Sequence, residues 1–170
     1  MSRGVMHFIC GSTGAGKTTY AIKICEEIGA VRYSIDAWMT ALFWKDAPKP
    51  LDPAWSIERV ERCHSLMWRT ASEVAARGPP VVLDWGFGGA RQRAHYAGLA
   101  ANASLQVKLH VLDVPAEERW KRVQLRNDVR GETEHPPFDI DREMFDFVES
   151  MWEPPTPAEL AALGGIEVVR

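Results

Sequence analysis

The chain has 170 residues, 20 Lys and Arg against 23 Asp and Glu, and a formal net charge of −3. Apolar residues make up 46% and charged residues 25%, the balance of a globular protein rather than of a disordered or collagen-like chain. No apolar run approaches the ~18 residues needed to cross a membrane, and the mildly acidic balance argues against a dedicated nucleic-acid binder.

At this length residues 1–170 are expected to form a single domain with a proper core. The N-terminal MSRGVMHFIC lacks the longer apolar core and cleavage site of a secretory signal, which predicts a cytoplasmic protein. Short apolar runs then alternate with helical patterns, as in a parallel sheet covered on both faces. Val5 to Cys10 reads as a buried first strand, and Lys17 to Ile28 as a helix ending at Gly29. Arg32 to Ile35 is a short second strand, Ala37 to Trp44 a helix, and DAPKPLDP (46–53) a break. A long helix from Trp55 to Ala76 precedes a third strand, Val81 to Leu83. Arg91 to Ala101 is helical, Leu105 to Leu112 the fourth strand, and Pro115 to Asn127 a helix with Pro near its start. Arg130 to Asp141 reads as a loop, Asp141 to Met151 as a helix, and Ile166 to Val169 as the final strand. Cys10, Cys25 and Cys63 have neither CxxC spacing nor an even count, so no disulfide framework or zinc site is expected.

The strongest motif is Gly11-Ser12-Thr13-Gly14-Ala15-Gly16-Lys17-Thr18, a full match to GxxxxGK[ST] lying between a strand and a helix. Glycines let successive backbone N–H groups turn toward phosphate oxygens, and the positive end of the helix adds to the attraction. ATP is therefore expected on Gly11 to Thr19, with Lys17 at the β- and γ-phosphates and the Thr18 hydroxyl on Mg²⁺.

Other motifs narrow the class. No Asn-Lys-x-Asp guanine reader is present, and Asp84 is followed by Trp85 instead of the water-activating Glu common in motor ATPases. A small kinase remains. In a parallel sheet the strand C-terminal ends share one edge, where ligands gather. Asp36 follows the second strand and Asp84 the third, so both are expected at that edge. Asp36 could take the proton of an attacking hydroxyl, and Asp84 could hold Mg²⁺ or substrate. Alternatively Asp36 caps the helix beginning at Ala37, and Asp84 shapes a turn.

GSTGAGKTT, SIDAW, VVLDWGF and RWKRVQLRN together resemble the small P-loop kinases of the AAA-type ATP-binding family. That group includes zeta-toxin-like, gluconate-kinase-like and chloramphenicol-phosphotransferase-like proteins. The C-terminal FDFVESMWEPPTPAE is similar to the ending of one branch of the group. The resemblance implies a three-layer α/β P-loop NTPase fold with a five-stranded parallel sheet in the order 2-3-1-4-5. It also implies catalytic-base chemistry at Asp36, phosphate-clamping arginines in the helix after the fourth strand, and a lid at about 130–141. Arg119, Arg122 and Arg126 share one face of that helix by spacing. Arg126 and then Arg122 are the favoured clamp residues, whereas Arg119 is assigned to an amphipathic surface, and Glu118–Arg122 is a good i,i+4 pair.

Two segments are candidates for the acceptor site, 38–55 with Trp38, Phe43, Trp44 and Trp55, and WGFGGARQR (85–93) with Arg91 and Arg93. Seven Trp residues would suit a flat or partly apolar small-molecule acceptor, although such aromatics more often pack a core. Glu153-Pro154-Pro155-Thr156-Pro157 either lines the adenine pocket or is a connector. A polynucleotide 5′-kinase module and a nucleotide-binding regulator with slow hydrolysis are the rival functions. The sequence carries no signal of the oligomeric state.

Overall fold

Val5–Cys10 (β1) is buried from Met6 through Cys10, and a strand hidden on both faces belongs at the centre of a sheet. The computed structural model describes residues 3–128 and 138–168 and puts β1 there. Among the described residues, Val31–Ser34 (β2), Val81–Gly86 (β3), Gln106–Val111 (β4) and Ile166–Glu167 (β5) complete a parallel sheet. Its order, β2-β3-β1-β4-β5, is the expected P-loop NTPase arrangement. The connections hold α1 (Lys17–Ile28), α2 (Ile35–Phe43), α3 (Pro53–Ala76), α4 (Ala90–Asn102), α5 (Ala116–Asp128), α6 (Arg142–Ser150) and α7 (Pro157–Ala162).

The strand pleat divides the core in two. Met6, Phe8 and Cys10 pack with Met67, Ala71 and Ala75 of α3 and Ala100 of α4. Ile9 joins Ala21 and Ile24 of α1 on the opposite side. Alternation by two along β1 and by four along α3, where Cys63, Met67, Ala71 and Ala75 are buried, builds the three layers. A smaller cluster of Val123, Ile140 and Phe145 ties α6 to α5. None of the described helices is long and apolar enough to cross a membrane.

Several boundaries differ from the sequence expectation. β3 runs on to Gly86 because both neighbours continue to pair with it, Ser34 opposite Asp84 and Cys10 opposite Gly86. Asp84 therefore lies inside a strand rather than after it. α2 begins at Ile35 because the Ser34 hydroxyl caps it, accepting from the Ala37 N–H at 3.3 Å. The cap reading of Asp36 is thereby corrected, since Asp36 sits in the first turn. Helix α7 replaces part of the expected connector. Its signal was in the sequence, because Thr156 and Glu159 form a reciprocal capping box with Pro157 in the first turn. Of the expected lid, residues 130–137 lie outside the described residues, as does Val169 of the expected final strand.

Candidate active site

The loop from β1 to α1 owes its shape to two left-handed glycines, Gly14 at φ 80° and Gly16 at φ 85°. A Cβ at Gly14 would lie 2.6 Å from the Arg119 backbone oxygen, so α5 presses on the loop where only glycine fits. Gly16 is the N-cap of α1 and has no side chain to occupy the first N–H groups of the helix. Those groups, with the helix dipole behind them, stay free for an anion. The loop is anchored by the Gly11 N–H donating to the Gly86 oxygen at 3.0 Å and the Ala15 N–H to the Ser12 oxygen at 3.2 Å.

Lys17 Nζ donates to the Ser12 oxygen at 2.9 Å. Burial pushes its ammonium down, and the carboxylates of Asp36 and Asp84 oppose that shift. Asp84 is buried, pairs with Arg32 at 3.1 Å, and has its carboxyl pushed up by burial while Lys17 and Arg32 pull it back. Arg32 had no motif to announce it; it reaches Asp84 from the neighbouring strand.

Two cavities meet at this point. One, of about 480 Å³, is lined by Thr13, Gly14 and Gly16 to Thr19 of the P-loop, by Asp36, and by Arg122 and Arg126 of α5. The other, of about 830 Å³, runs from Lys17, Asp36 and Asp84 past Trp85, Gly88 and Gly89 to Arg91, His95 and Trp152. Thr13, Lys17 and Asp36 line both. The turn that ends β3 beside the larger cleft is strained at Phe87, at φ 44°, after Gly86 at φ 84°. Phe87 is held there by stacking on Phe8 at 4.4 Å and by its carbonyl, which accepts from Arg93 at 3.0 Å.

The remaining sequence candidates divide clearly. Arg126 is half-buried; desolvation pushes its guanidinium down and Asp36 opposes this. Arg122 pairs with Glu118, as the i,i+4 spacing predicts. Arg91 lines the larger cleft, but Arg93 does not. Its side chain is wholly buried, ion-paired with Glu159 at 2.9 Å and bonded to the Phe87 and Glu153 oxygens. The expectation that Arg93 faces an acceptor is corrected, because its donors are spent inside the protein. Trp38 also turns from the cleft and packs beside Tyr33, ring centroids 6.4 Å apart. Trp44 stacks on Phe138 and Trp55 meets Phe43 and Arg59. Arg119, expected on a solvated face, is buried and bonded to the Val114 and Thr13 oxygens. The Glu153–Pro157 stretch docks on α4, where Glu153 accepts from the Ala90 N–H at 2.7 Å, and it lines neither cavity. Trp152 and Tyr96, which the sequence reading did not single out, form part of the cleft wall.

Residues 6–155 match the AAA domain family model. Among solved structures, Chaetomium thermophilum Kti12 in complex with ADP-AlF3 superposes with a TM-score of 0.71 at 16% identity, over 96% of this chain and 88% of that one. A gluconokinase from Sinorhizobium meliloti 1021 gives 0.61 at 14% identity, over 99% and 83%. A chain of the Pnkp1/Rnl/Hen1 RNA repair complex gives 0.65 at 18% identity, over 89% of this chain but 44% of that one. At these identities the likeness is one of fold. No curated protein matches the sequence.

Proposed function

The chain belongs to the AAA domain family, and from that premise we propose that it is a magnesium- and ATP-dependent phosphotransferase acting on a hydroxyl of a small-molecule acceptor. One observation carries this reading: the P-loop lysine and Asp36 stand where the cavity over the P-loop opens into a second, larger cleft. A nucleotide hydrolase needs only room for water beyond the γ-phosphate, whereas a transferase needs a second pocket.

In this reading the backbone N–H groups of Gly11 to Thr19 hold the phosphates and Lys17 neutralises charge on the β- and γ-oxygens. The Thr18 hydroxyl and the Asp84 carboxylate are an all-oxygen donor set suited to Mg²⁺, which is bound through few protein ligands and several waters. The metal would supply further neutralisation of phosphate charge. As the acceptor oxygen bonds to the γ-phosphorus, the bond to the β–γ bridging oxygen breaks and ADP leaves. The hydroxyl proton passes to Asp36. Arg122 and Arg126 face the same phosphates from α5 and offset their charge in transfer.

The test is transfer of label from γ-³²P ATP to pooled sugars, nucleosides, antibiotics and oligonucleotides. Acceptor-dependent ADP release with a labelled product is expected. Slow hydrolysis indifferent to every acceptor would overturn the proposal in favour of a nucleotide-dependent regulator.

A further inference from the structure

The larger cleft separates its polar groups from its apolar ones. Its volume, about 830 Å³, lies within the ~300–1,000 Å³ of small-molecule sites. Lys17, Asp36 and Asp84 supply charge where it meets the phosphate cavity. Arg91, Gln92 and His95, on the first turns of α4, supply the polar side chains at the far end, with Arg91 and His95 exposed at the rim. The rest of the wall is Ile35, Trp85, Tyr96, Val148, Met151 and Trp152, with Gly88 and Gly89 leaving room beside them. Of the P-loop hydroxyls here, Ser12 is already committed to Glu149 at 3.0 Å.

This distribution discriminates between acceptors. A polyhydroxylated sugar would set several hydroxyls against a mainly aromatic and aliphatic surface that offers few polar atoms beyond the Tyr96 hydroxyl, and each unpaired group is costly. A flat ring system would bury its faces there at a gain. Trp85 meets the cleft by an edge, because its faces are covered by His64 at 4.5 Å and Phe87 at 5.6 Å. Half-buried Trp152 stands across Gly88, where a Cβ would lie 3.8 Å from Trp152 Cε3. Arg91 is the one permanent cation on the rim among the described residues, too few to track the several phosphates of a nucleic-acid strand.

We propose that the acceptor is a free aromatic hydroxyl compound of about nucleoside size. Its hydroxyl lies at Asp36, its ring system along Trp152 and Tyr96, and a polar or anionic substituent toward Arg91 and His95. Only the hydroxyl end rests on the phosphotransferase reading; the aromatic body rests on the wall.

Binding and transfer are measured separately. Cytidine, guanosine and 4-hydroxybenzyl alcohol, beside glucose and gluconate, are dialysed to equilibrium against the protein saturated with ADP. The same compounds and a 5′-hydroxyl oligonucleotide are then offered with γ-³²P ATP. At least one aromatic compound is expected to bind and to be labelled, with the affinity falling about tenfold in Trp152→Ala and also in Gly88→Val, which narrows the cleft. Melting temperature and ADP titration verify that both variants are folded. Aromatic probes that bind without being phosphorylated would remove the kinase reading and the acceptor role, and leave standing only the aromatic body along Trp152 and Tyr96. Labelling of glucose or gluconate with no binding of the aromatic probes would do the reverse. Failure of every aromatic probe to bind, or labelling of the oligonucleotide in preference to free nucleosides, overturns the proposal.

Discussion

Arg119 Nη2 donates to both carboxylate oxygens of Glu149 at 2.7 Å, and the same carboxylate accepts from Ser12 Oγ at 3.0 Å. One acid on α6 thus fastens α5 and the P-loop together, with Arg119 completing the circuit through the Thr13 oxygen at 3.1 Å. Glu149→Ala leaves a buried guanidinium without its anion, a loss on the order of 3 kcal/mol for a broken buried pair. Urea denaturation is expected to show that loss, together with weaker ADP binding from a loosened loop. Unchanged stability would mean that Arg119 finds another anion.

Lys17→Ala removes the cation that Asp36 and Asp84 face while leaving the backbone cradle in place. Phosphoryl transfer is expected to be nearly abolished and ATP affinity reduced, as measured by turnover and by nucleotide titration. Near-wild-type turnover would remove the P-loop assignment.

Because Ser34 caps α2, Asp36→Asn keeps both the cap and the shape of the first turn. The fold and ATP affinity should therefore survive, while loss of general-base assistance lowers acceptor-dependent turnover by about 10²–10⁴. A small loss would leave Asp36 a positioning role, since phosphoryl-transfer transition states are loose. Intact turnover would move the base assignment to Asp84.

Two arginines make opposite predictions. Arg126→Ala is expected to lower turnover more than melting temperature, because Arg126 is half-buried at the wall of the phosphate cavity. Arg93→Ala takes the guanidinium from Glu159 and from the Phe87 and Glu153 oxygens, leaving Glu159 only the Thr156 N–H and the Phe87 oxygen only the Cys10 thiol. It should cost on the order of 3–5 kcal/mol, visible as a lower melting temperature. A purely kinetic effect of Arg93→Ala would return it to the acceptor site.

Three histidines set an acid limit on stability. Burial, the dominant cause, holds His7 and His64 at about 4 and His110 at about 3, below the ordinary 6.5; the neighbouring His7 and then Lys108 add to the shift of His110, and Lys108 adds to that of His7. The folded state therefore binds fewer protons than the unfolded one below pH 6.5, so this stabilisation is complete above that pH and is lost on acidification. By pH 5 the loss is on the order of 2 kcal/mol for His64, and His7 and His110, in contact with each other, act in the same direction as a pair. Melting temperatures between pH 7.5 and 5 should fall accordingly, and His64→Phe, at a ring whose Nε2 has no partner, should flatten the slope. A flat profile in the wild type would show the histidines to be open to solvent.

The phosphate loop, β1 and α1 were legible in the sequence because each is set by local rules. Glycine spacing fixes the loop, a continuous apolar run marks a central strand, and the α1 bounds fell where its apolar period and Gly29 placed them. The strand order followed from the resemblance that those motifs carry. The fate of the arginines did not. Arg93 shares a helix face with Ala90, Ala97 and Ala100, and Arg91 does not, but a charged residue on such a face is buried only if it finds an anion, and that anion, Glu159, lies 66 residues further along the chain. Arg119 depends on Glu149, 30 residues further along the chain, and neighbouring residues cannot announce such a partner. Trp85 and Trp152 likewise become walls of one cleft only when α6 closes onto the P-loop. The sequence alone determined the shape of the loop between β1 and α1, because backbone conformation answers to nearby residues. Which charges and rings face the second cleft was decided by packing between distant elements, where burial spends some side chains on partners and leaves others open.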